Sequence, residues 1–540
     1  MNVPLSSILA FLVVFPLFAQ HEHAPGAAAR AELEPGLSEL HWQVSTTSAE
    51  AQRFFDQGMR YTYAFNHDMA IRSFRRATEL DPELAMGHWG IALALGPNIN
   101  LDVDPEREQQ AYSAVQTARA HLSTASDRER ALVDALATRY SDKSDADLHA
   151  LARDYSGAMG ELVDRYPDDL DIATLYAESL MDLRPWKFWS RDGTPAEGTE
   201  EIVRVLESVL ARDPDHLGAN HYYIHAVEAS RNPGRAVASA QRLQNLAPAA
   251  GHLVHMPAHI LQRTGDYGGA AAANENGARA DRAFIKTHGP EGVYPLMYYN
   301  HNLQFGSASY AMQGDFAGAK RMADELAQNV APIVREMAMV ESALSTPVLV
   351  LLRFGRWTDV IRTPLPAGAG PLGTTMWRFA RGVAFARLGN VAGAKWEQKE
   401  MESARAQVAD DNAMFQNSQR AIAEVALHVL DGRIREAAGD RAGAVVAFTR
   451  AIELEDVLNY NEPADWFYPV RETLGAALLR DGSFVDAERV FEADLSRNPH
   501  NPRSLWGLGE ARRGQKKERT KILAEHRRRW KGAPLTLAVF

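Results

Sequence analysis

Residues 51–84 read AQRFFDQGMRYTYAFNHDMAIRSFRRATELDPEL. Counting Ala51 as the first position of a unit, Gly58 falls at position 8, Tyr61 at 11, Ala70 at 20, Phe74 at 24, Ala77 at 27 and Pro82 at 32. The small residues mark where two antiparallel helices cross closely. The larger ones fill the gap to the next hairpin, and the proline closes the unit.

The same phase returns along the chain. It starts again at Leu217 (Ala236, Ala240, Pro248), Gly251 (Ala270, Gly277), Asn300 (Tyr310, Ala319, Ala323), Thr375 (Gly382, Phe385, Ala394), Val425 (Gly432, Ala444, Phe448, Ala451) and Tyr468 (Gly475, Ala487, Phe491, Pro499). Weaker units begin near 85, 136, 170, 341 and 502. A fixed 34-residue period of this kind is the tetratricopeptide (TPR) spacing. About ten to twelve helix pairs then predict an all-α, TPR-type α-solenoid, a right-handed superhelix of hairpins. It is expected to span 41–540, with N-terminal repeats over 41–183, central histidine-rich repeats over 184–320 and C-terminal repeats over 321–540. Three insertions rich in aromatics, glycine and proline break the phase: 184–198, 283–294 and 459–470. In a solenoid such insertions become loops on one face, where they act either as lids over a groove or as packing elements.

A chain of 540 residues is too long for one compact core unless it is built from repeats. The net charge of −11 and the pI near 5.9 leave no basic face for nucleic acid. The basic stretch 516–531 reads as a solvated last helix. Residues 1–19 end in an apolar run that suits a secretory signal peptide and is too short to span a membrane. A flexible linker is expected over 20–40, and a periplasmic or secreted destination follows. Cysteine is absent, which excludes disulfides, thiolate ligands and a thiol nucleophile. If the signal were cut after Gln20, His21 and His23 would form a weak copper chelate with the new amine.

The central repeats carry an unusual density of histidine. The chain has 18, and six of them fall in the 44 residues from His216 to His259. In a TPR unit, positions 2, 5, 9 and 12 of the first helix face the concave groove. His221, His225 and Glu228 occupy positions 5, 9 and 12 of the unit from Leu217. His252, His255 and His259 occupy positions 2, 5 and 9 of the next, Glu178 position 9 of the unit from Leu170, and His301 position 2 of the unit from Asn300. First helices of neighbouring repeats pack ~8–10 Å apart, so imidazoles from two of them can reach one ion at ~2.0–2.1 Å.

A divalent transition metal is the expected cofactor, with His221, His225, Glu228, His252, His255 and His259 as candidate ligands. Glu228 or Glu178 would serve as a carboxylate ligand or as an orienting partner. Donors without sulfur suit Zn, Cu(II), Fe or Ni, and the lack of cysteine excludes a blue-copper centre. Hydrogen-bonded histidines that recognise a peptide or an anion, or that only brace the fold, remain alternatives. Pro257 either bends the helix carrying His255 and His259 or sits in the first turn of a helix starting near Val254. Tyr222, Tyr223, Tyr294, Tyr298 and Tyr299, beside Asn300, are candidate ligand contacts or packing groups.

The strings FNHDMA (65–70), HWGIALALGPNIN (88–100), HYYIHAVE (221–228), GHLVHMPAH (251–259), YYNHN (298–302) and EPADWFYPVR (462–471) together resemble a family of exported bacterial TPR proteins. The resemblance spans most of the chain beyond residue 40 and implies no assigned activity. It adds His67, Trp89, Asn98 and Asn100 as suspects that spacing alone does not select. No GxSxG, HExxH or P-loop pattern is present. The expected function is an exported repeat protein whose groove holds a metal for a metal-dependent ligand, or a protein or peptide partner. The alternatives are a metal-dependent hydrolase or oxidoreductase, and a metal-free interaction scaffold.

Overall fold

The 51–84 unit is a hairpin of two helices, Ala49–Tyr63 and His67–Leu80, started by the side chains of Ser48 and Asn66. Its crossing shows why the spacing requires glycine. A Cβ on Gly58 would sit 2.4 Å from the Phe74 ring, and one on Gly90, in the following hairpin, 2.6 Å from it. Phe74 is thereby clamped between consecutive repeats and fully buried, which contributes roughly 2–3 kcal/mol. The same wedge returns as Phe448 against Gly432, and as Phe491 between Gly475 and Gly507.

The computed structural model describes residues 30–335, 337–409, 413–414 and 416–540. Ala31–Phe540 form one unit. Among the described residues, the 25 α-helices make twelve hairpins when the interrupted helix at Met256 is counted once. The strands are two pairs of residues at 413–414 and 417–418. The architecture is all-α and TPR-type. The expected signal peptide over 1–19 and the HEH stretch of His21 and His23 lie outside the described residues.

Second helices share a local start signal. Asp266, Asp315, Asn390 and Asp440 each follow a glycine with positive φ and accept from the backbone N–H three residues on. The glycine ends one helix in the left-handed region and the Asx side chain caps the next, so the turn is set by three residues.

Two departures from a simple stack shape the interior. The stretch expected as a linker is packed from Ala31 onward. Gln57 Nε2 donates to the Glu32 carbonyl, Ala249 N to the Gly36 carbonyl, and Leu37 is buried. Its apolar residues had a core to join, which the composition of 20–40 did not reveal.

In addition, repeats far apart in sequence touch. Tyr63 meets His216 and Tyr222 at ring-centroid distances of 5.8 and 6.0 Å. Tyr267 donates to the Pro499 carbonyl, Arg529 to the Gly265 carbonyl and Lys531 N to the Gln313 carbonyl. Solenoid repeats ordinarily contact only their neighbours. Here the first and the last repeats both close on the central ones, and the inner wall at the level of the histidines becomes core. No described helix is long and apolar enough to cross a membrane.

Candidate metal centre

Four first-helix segments bring the histidines together. Leu217–Glu228 carries His221 and His225; Gly251–His255 and Pro257–Arg263 carry His252, His255 and His259; Asn300–Gln313 carries His301. Met256 stays in the right-handed helical region, so Pro257 interrupts one helix instead of starting a separate one. Close packing from behind depends on glycine. A Cβ on Gly277 would meet the His255 Cβ at 2.8 Å, and one on Gly251 would overlap Asp281.

The rings fall into two triads, His221/His225/His252 and His255/His259/His301, each offering ligand atoms within 4.8 Å of one another. The groove-facing positions are not open. His221 and His255 are 0% exposed, and His225, the most exposed of the six expected ligands, is 3% exposed. Only His301 keeps moderate exposure.

The hydrogen bonds decide which nitrogen of each ring is free. His221 Nδ1 lies 2.7 Å from the Tyr63 carbonyl oxygen, and His255 Nδ1 lies 3.0 Å from Asn274 Oδ1. The Asn274 amide is fixed in turn, because its Nδ2 donates to the Ala270 carbonyl. His225 Nδ1 lies 2.7 Å from Glu228 Oε1, and His259 Nδ1 2.6 Å from Glu228 Oε2. All four partners are acceptors, so each ring places its proton on Nδ1 and, when neutral, offers a lone pair at Nε2.

These lone pairs point at one another. His255 Nε2 and His259 Nε2 are 3.1 Å apart, as are His221 Nε2 and His252 Nε2. Two ligands on one ion at ~2.0–2.1 Å with tetrahedral angles stand ~3.3 Å apart. His225 Nε2 and His252 Nδ1 have no partner among the described residues. A buried polar atom left so costs about 1–3 kcal/mol.

Burial, then the neighbouring imidazoles, pushes His221, His252 and His255 well below the ordinary histidine pKa. Burial lowers His225 as well and takes His301 down to about 3. His259 differs. Burial opposes its charge, but the Glu228 charge and hydrogen bond outweigh burial and raise it. A proton on His259 Nε2 therefore competes with a metal for the second triad. Burial also opposes charge on Glu228, yet His259 and His225 together hold its carboxylate below the usual range.

Each insertion delivers aromatic groups over this cluster. Trp186 from 184–198 meets His225 at 5.4 Å. Tyr294, from 283–294, accepts from His252 N and donates to Asp281, while Tyr298 just beyond packs on the His252 ring at 4.6 Å. Tyr460 from 459–470 donates to Glu228 Oε2 at 2.9 Å and lies 3.0 Å from Glu462 Oε1, with Arg263 over its ring. The insertions are lids and packing elements at once. Phe65, at the tip of the first hairpin, completes the wall. Its ring stacks on His225 and His252 at 6.1 and 5.6 Å. Phe65 and Trp186 hold φ of +56° and +64°, a conformation that costs bulky residues about 1–3 kcal/mol and that concentrates at functional sites.

Several residues expected at the site lie elsewhere or act differently. Glu228 faces the Nδ1 side of His225 and His259, where it orients both rings. Glu178 joins Asp182 and Arg139 in a separate buried charge cluster. The Tyr223 hydroxyl turns away to donate to Glu207. Asn300 bonds locally to Leu296 and Asn329. Asn98 braces its own turn by accepting from Asn100 N; Asn100 reaches the site only through the Tyr298 hydroxyl. His67 is buried near Phe65 and pushed down to about 3 by burial. Trp89 donates to the Leu132 carbonyl, far from the rings. Tyr222 packs on His221 at 5.4 Å, and His301, expected as an accessory group, belongs to the second triad.

Sequence reading missed Phe65, Trp186, Asn274, Asp281, Tyr460 and Glu462. The insertions signalled three of them without singling out a residue. The left-handed backbone of Phe65 and Trp186 carries no sequence signal.

Fold and site together define a class: an all-α TPR-type repeat protein with a buried polyhistidine cluster. No family model and no curated protein matches the chain. Among solved structures it is similar to a human IFIT1 dimer with m7Gppp-AAAA, at 12% identity over 89% of this chain and 90% of that one, with TM-score 0.32. It is also similar to yeast Tom70, at 12% identity over 89% and 92%, with TM-score 0.30. A third is the Cut9–Hcn1 assembly, at 13% identity over 89% and 74%, with TM-score 0.30. Likeness at this level concerns the helical-repeat fold alone.

Proposed function

We propose that this chain is an exported metalloprotein that holds a divalent transition metal among the buried histidines, with the TPR scaffold serving as the shell of the centre. One observation carries the reading: four rings have Nδ1 pinned by acceptors, so their Nε2 lone pairs converge in a space closed to bulk water. An all-imidazole donor set with the carboxylate on the far side favours Cu or Zn over an iron site of two histidines and one carboxylate. Export rests on the apolar run ending at Ala19 and the resemblance to exported TPR proteins.

The test is elemental analysis of the chain purified from a periplasmic fraction. The expected result is bound Cu or Zn, reduced in the double variant His255→Ala/His259→Ala. A metal-free wild type after supplementation with either ion overturns the reading.

A second reading, a metal-dependent enzyme acting on a small molecule, is supported by a cavity of about 70 Å³. It is lined by Gln304, Ser307, Ala308, Leu349, Met376 and Phe467, and begins one turn along the helix from His301. The burial of all six expected ligands disfavours a macromolecule touching the metal directly. A protein partner would meet the outer faces of the repeats. An exchangeable water on the loaded metal, seen by relaxation of bulk water protons, separates the enzyme from a sealed storage or structural site.

A further inference from the structure

Two groups of three donors, one carboxylate touching both, and rings of the two groups standing side by side are the features that metal binding by itself leaves unexplained. Each triad spans one junction between hairpins: the Leu217–Glu228 helix with His252, and the Pro257-interrupted helix with His301. Each contains one pair of Nε2 atoms at 3.1 Å. The triads are also mutual neighbours. His225 and His259 lie 5.4 Å apart between ring centroids, as do His252 and His255, against 5.0 Å for His221–His225 and 4.8 Å for His255–His259 within a triad. Glu228 accepts from one ring of each.

We infer that the six imidazoles hold two metal ions, three ring nitrogens to each, facing a shared gap that takes a small bridging anion. The inference rests on the reading of the site as a metal centre. The six donors fall into two separate groups of mutually close atoms, and donors on a common ion stand no more than ~4.2 Å apart at ~2.1 Å per bond, so each group is read as serving its own ion. Two-metal sites place their ions ~3.5–4 Å apart, and rings as close between triads as within them fit that spacing. Charge then selects the ligand. Two divalent ions bring four positive charges into a buried space whose nearest fixed anion is Glu228, and uncompensated buried charge is strongly unfavourable. Phe65, Trp186 and Tyr298 crowd the rings, so the compensating group is an anion of few atoms, such as hydroxide or azide.

The test titrates metal-stripped full-length protein with Cu(II), following stoichiometry by elemental analysis and spin count by electron paramagnetic resonance, without and with azide. The expected result is two ions per chain at saturation, with an integrated spin below half of two independent Cu(II) ions, and a further change on adding azide. The triple variant His255→Ala/His259→Ala/His301→Ala should keep one ion with a full, uncoupled spin, its folding checked by circular dichroism. Saturation of wild type at one ion overturns the pair while the metalloprotein reading stands, and no bound ion overturns both. Two ions with a full spin count, insensitive to azide, overturn the shared gap. The wild-type stoichiometry decides the matter even if the variant does not fold.

Discussion

Glu228 is the residue on which both triads depend, because each of its oxygens fixes the tautomer of one ring. Replacing it with Gln keeps the shape but leaves one ring nitrogen facing an amide N–H. Such partners are typically worth 10–100-fold in metal affinity. Glu228→Gln should therefore weaken binding by that factor at the triad whose ring meets the amide N–H, read by competition with a chromophoric chelator; no loss at either triad would mean the carboxylate does not orient the rings. Asp281, fully buried behind Gly251, sets a pH dependence. Burial pushes its carboxyl up to about 7 against the hydrogen bonds from Tyr294 and Asn302. The folded chain keeps this proton until about pH 7, whereas the unfolded chain gives it up near 4, so unfolding releases a proton and rising pH favours unfolding. Between pH 5 and 8 the stability of wild type should fall relative to Asp281→Asn by about 3 kcal/mol, measured by urea unfolding at each pH. An unchanged difference would count against a raised Asp281.

At the scale of the element, hairpins hold by close crossings. A methyl on Gly58 drives into Phe74, which Gly90 already confines, so Gly58→Ala should cost about 1–3 kcal/mol in chemical denaturation. Gly482→Ala, with nothing within 4 Å of the added Cβ but φ of +80°, should cost about 1 kcal/mol through backbone strain alone. Pro257 tests the opposite case. Pro257→Ala restores a helical N–H where the chain is now interrupted at Met256, so thermal stability of the metal-free protein should hold or rise. The angle between His255 and His259 changes with it, and metal affinity should drop at least tenfold. Both measurements falling together would make Pro257 merely structural.

For the whole molecule, closure of the first and last repeats on the central ones means that metal binding reports on the entire chain. At free metal ~1,000 times its dissociation constant, binding adds about 4 kcal/mol, which for a cooperative unit of this size raises the melting temperature by roughly 4 °C. Chelation should reverse the rise by scanning calorimetry, and His255→Ala/His259→Ala should reduce it. The hairpin order, the crossing glycines and the phase of the groove positions were legible in sequence because they depend on contacts within 34 residues, whose period repeats. The nearness of His221, His225, His252, His255 and His259 was legible for the same reason: two adjacent units in phase put them on one wall. The roles within the cluster were not. Glu228 reads equally well as ligand or orienter until the Nδ1 sides of His225 and His259 are seen to face it. Glu178 shares the groove phase yet is drawn to Arg139. Phe65, Trp186 and Tyr460 arrive from 152 residues before to 232 after the Leu217–Glu228 helix they cover. By itself, then, the sequence determined the repeat and the inward face of its histidines, because both are local and periodic. The tertiary structure alone decided that this face is sealed, divided into two triads and braced by one carboxylate, because those facts arise where distant repeats meet.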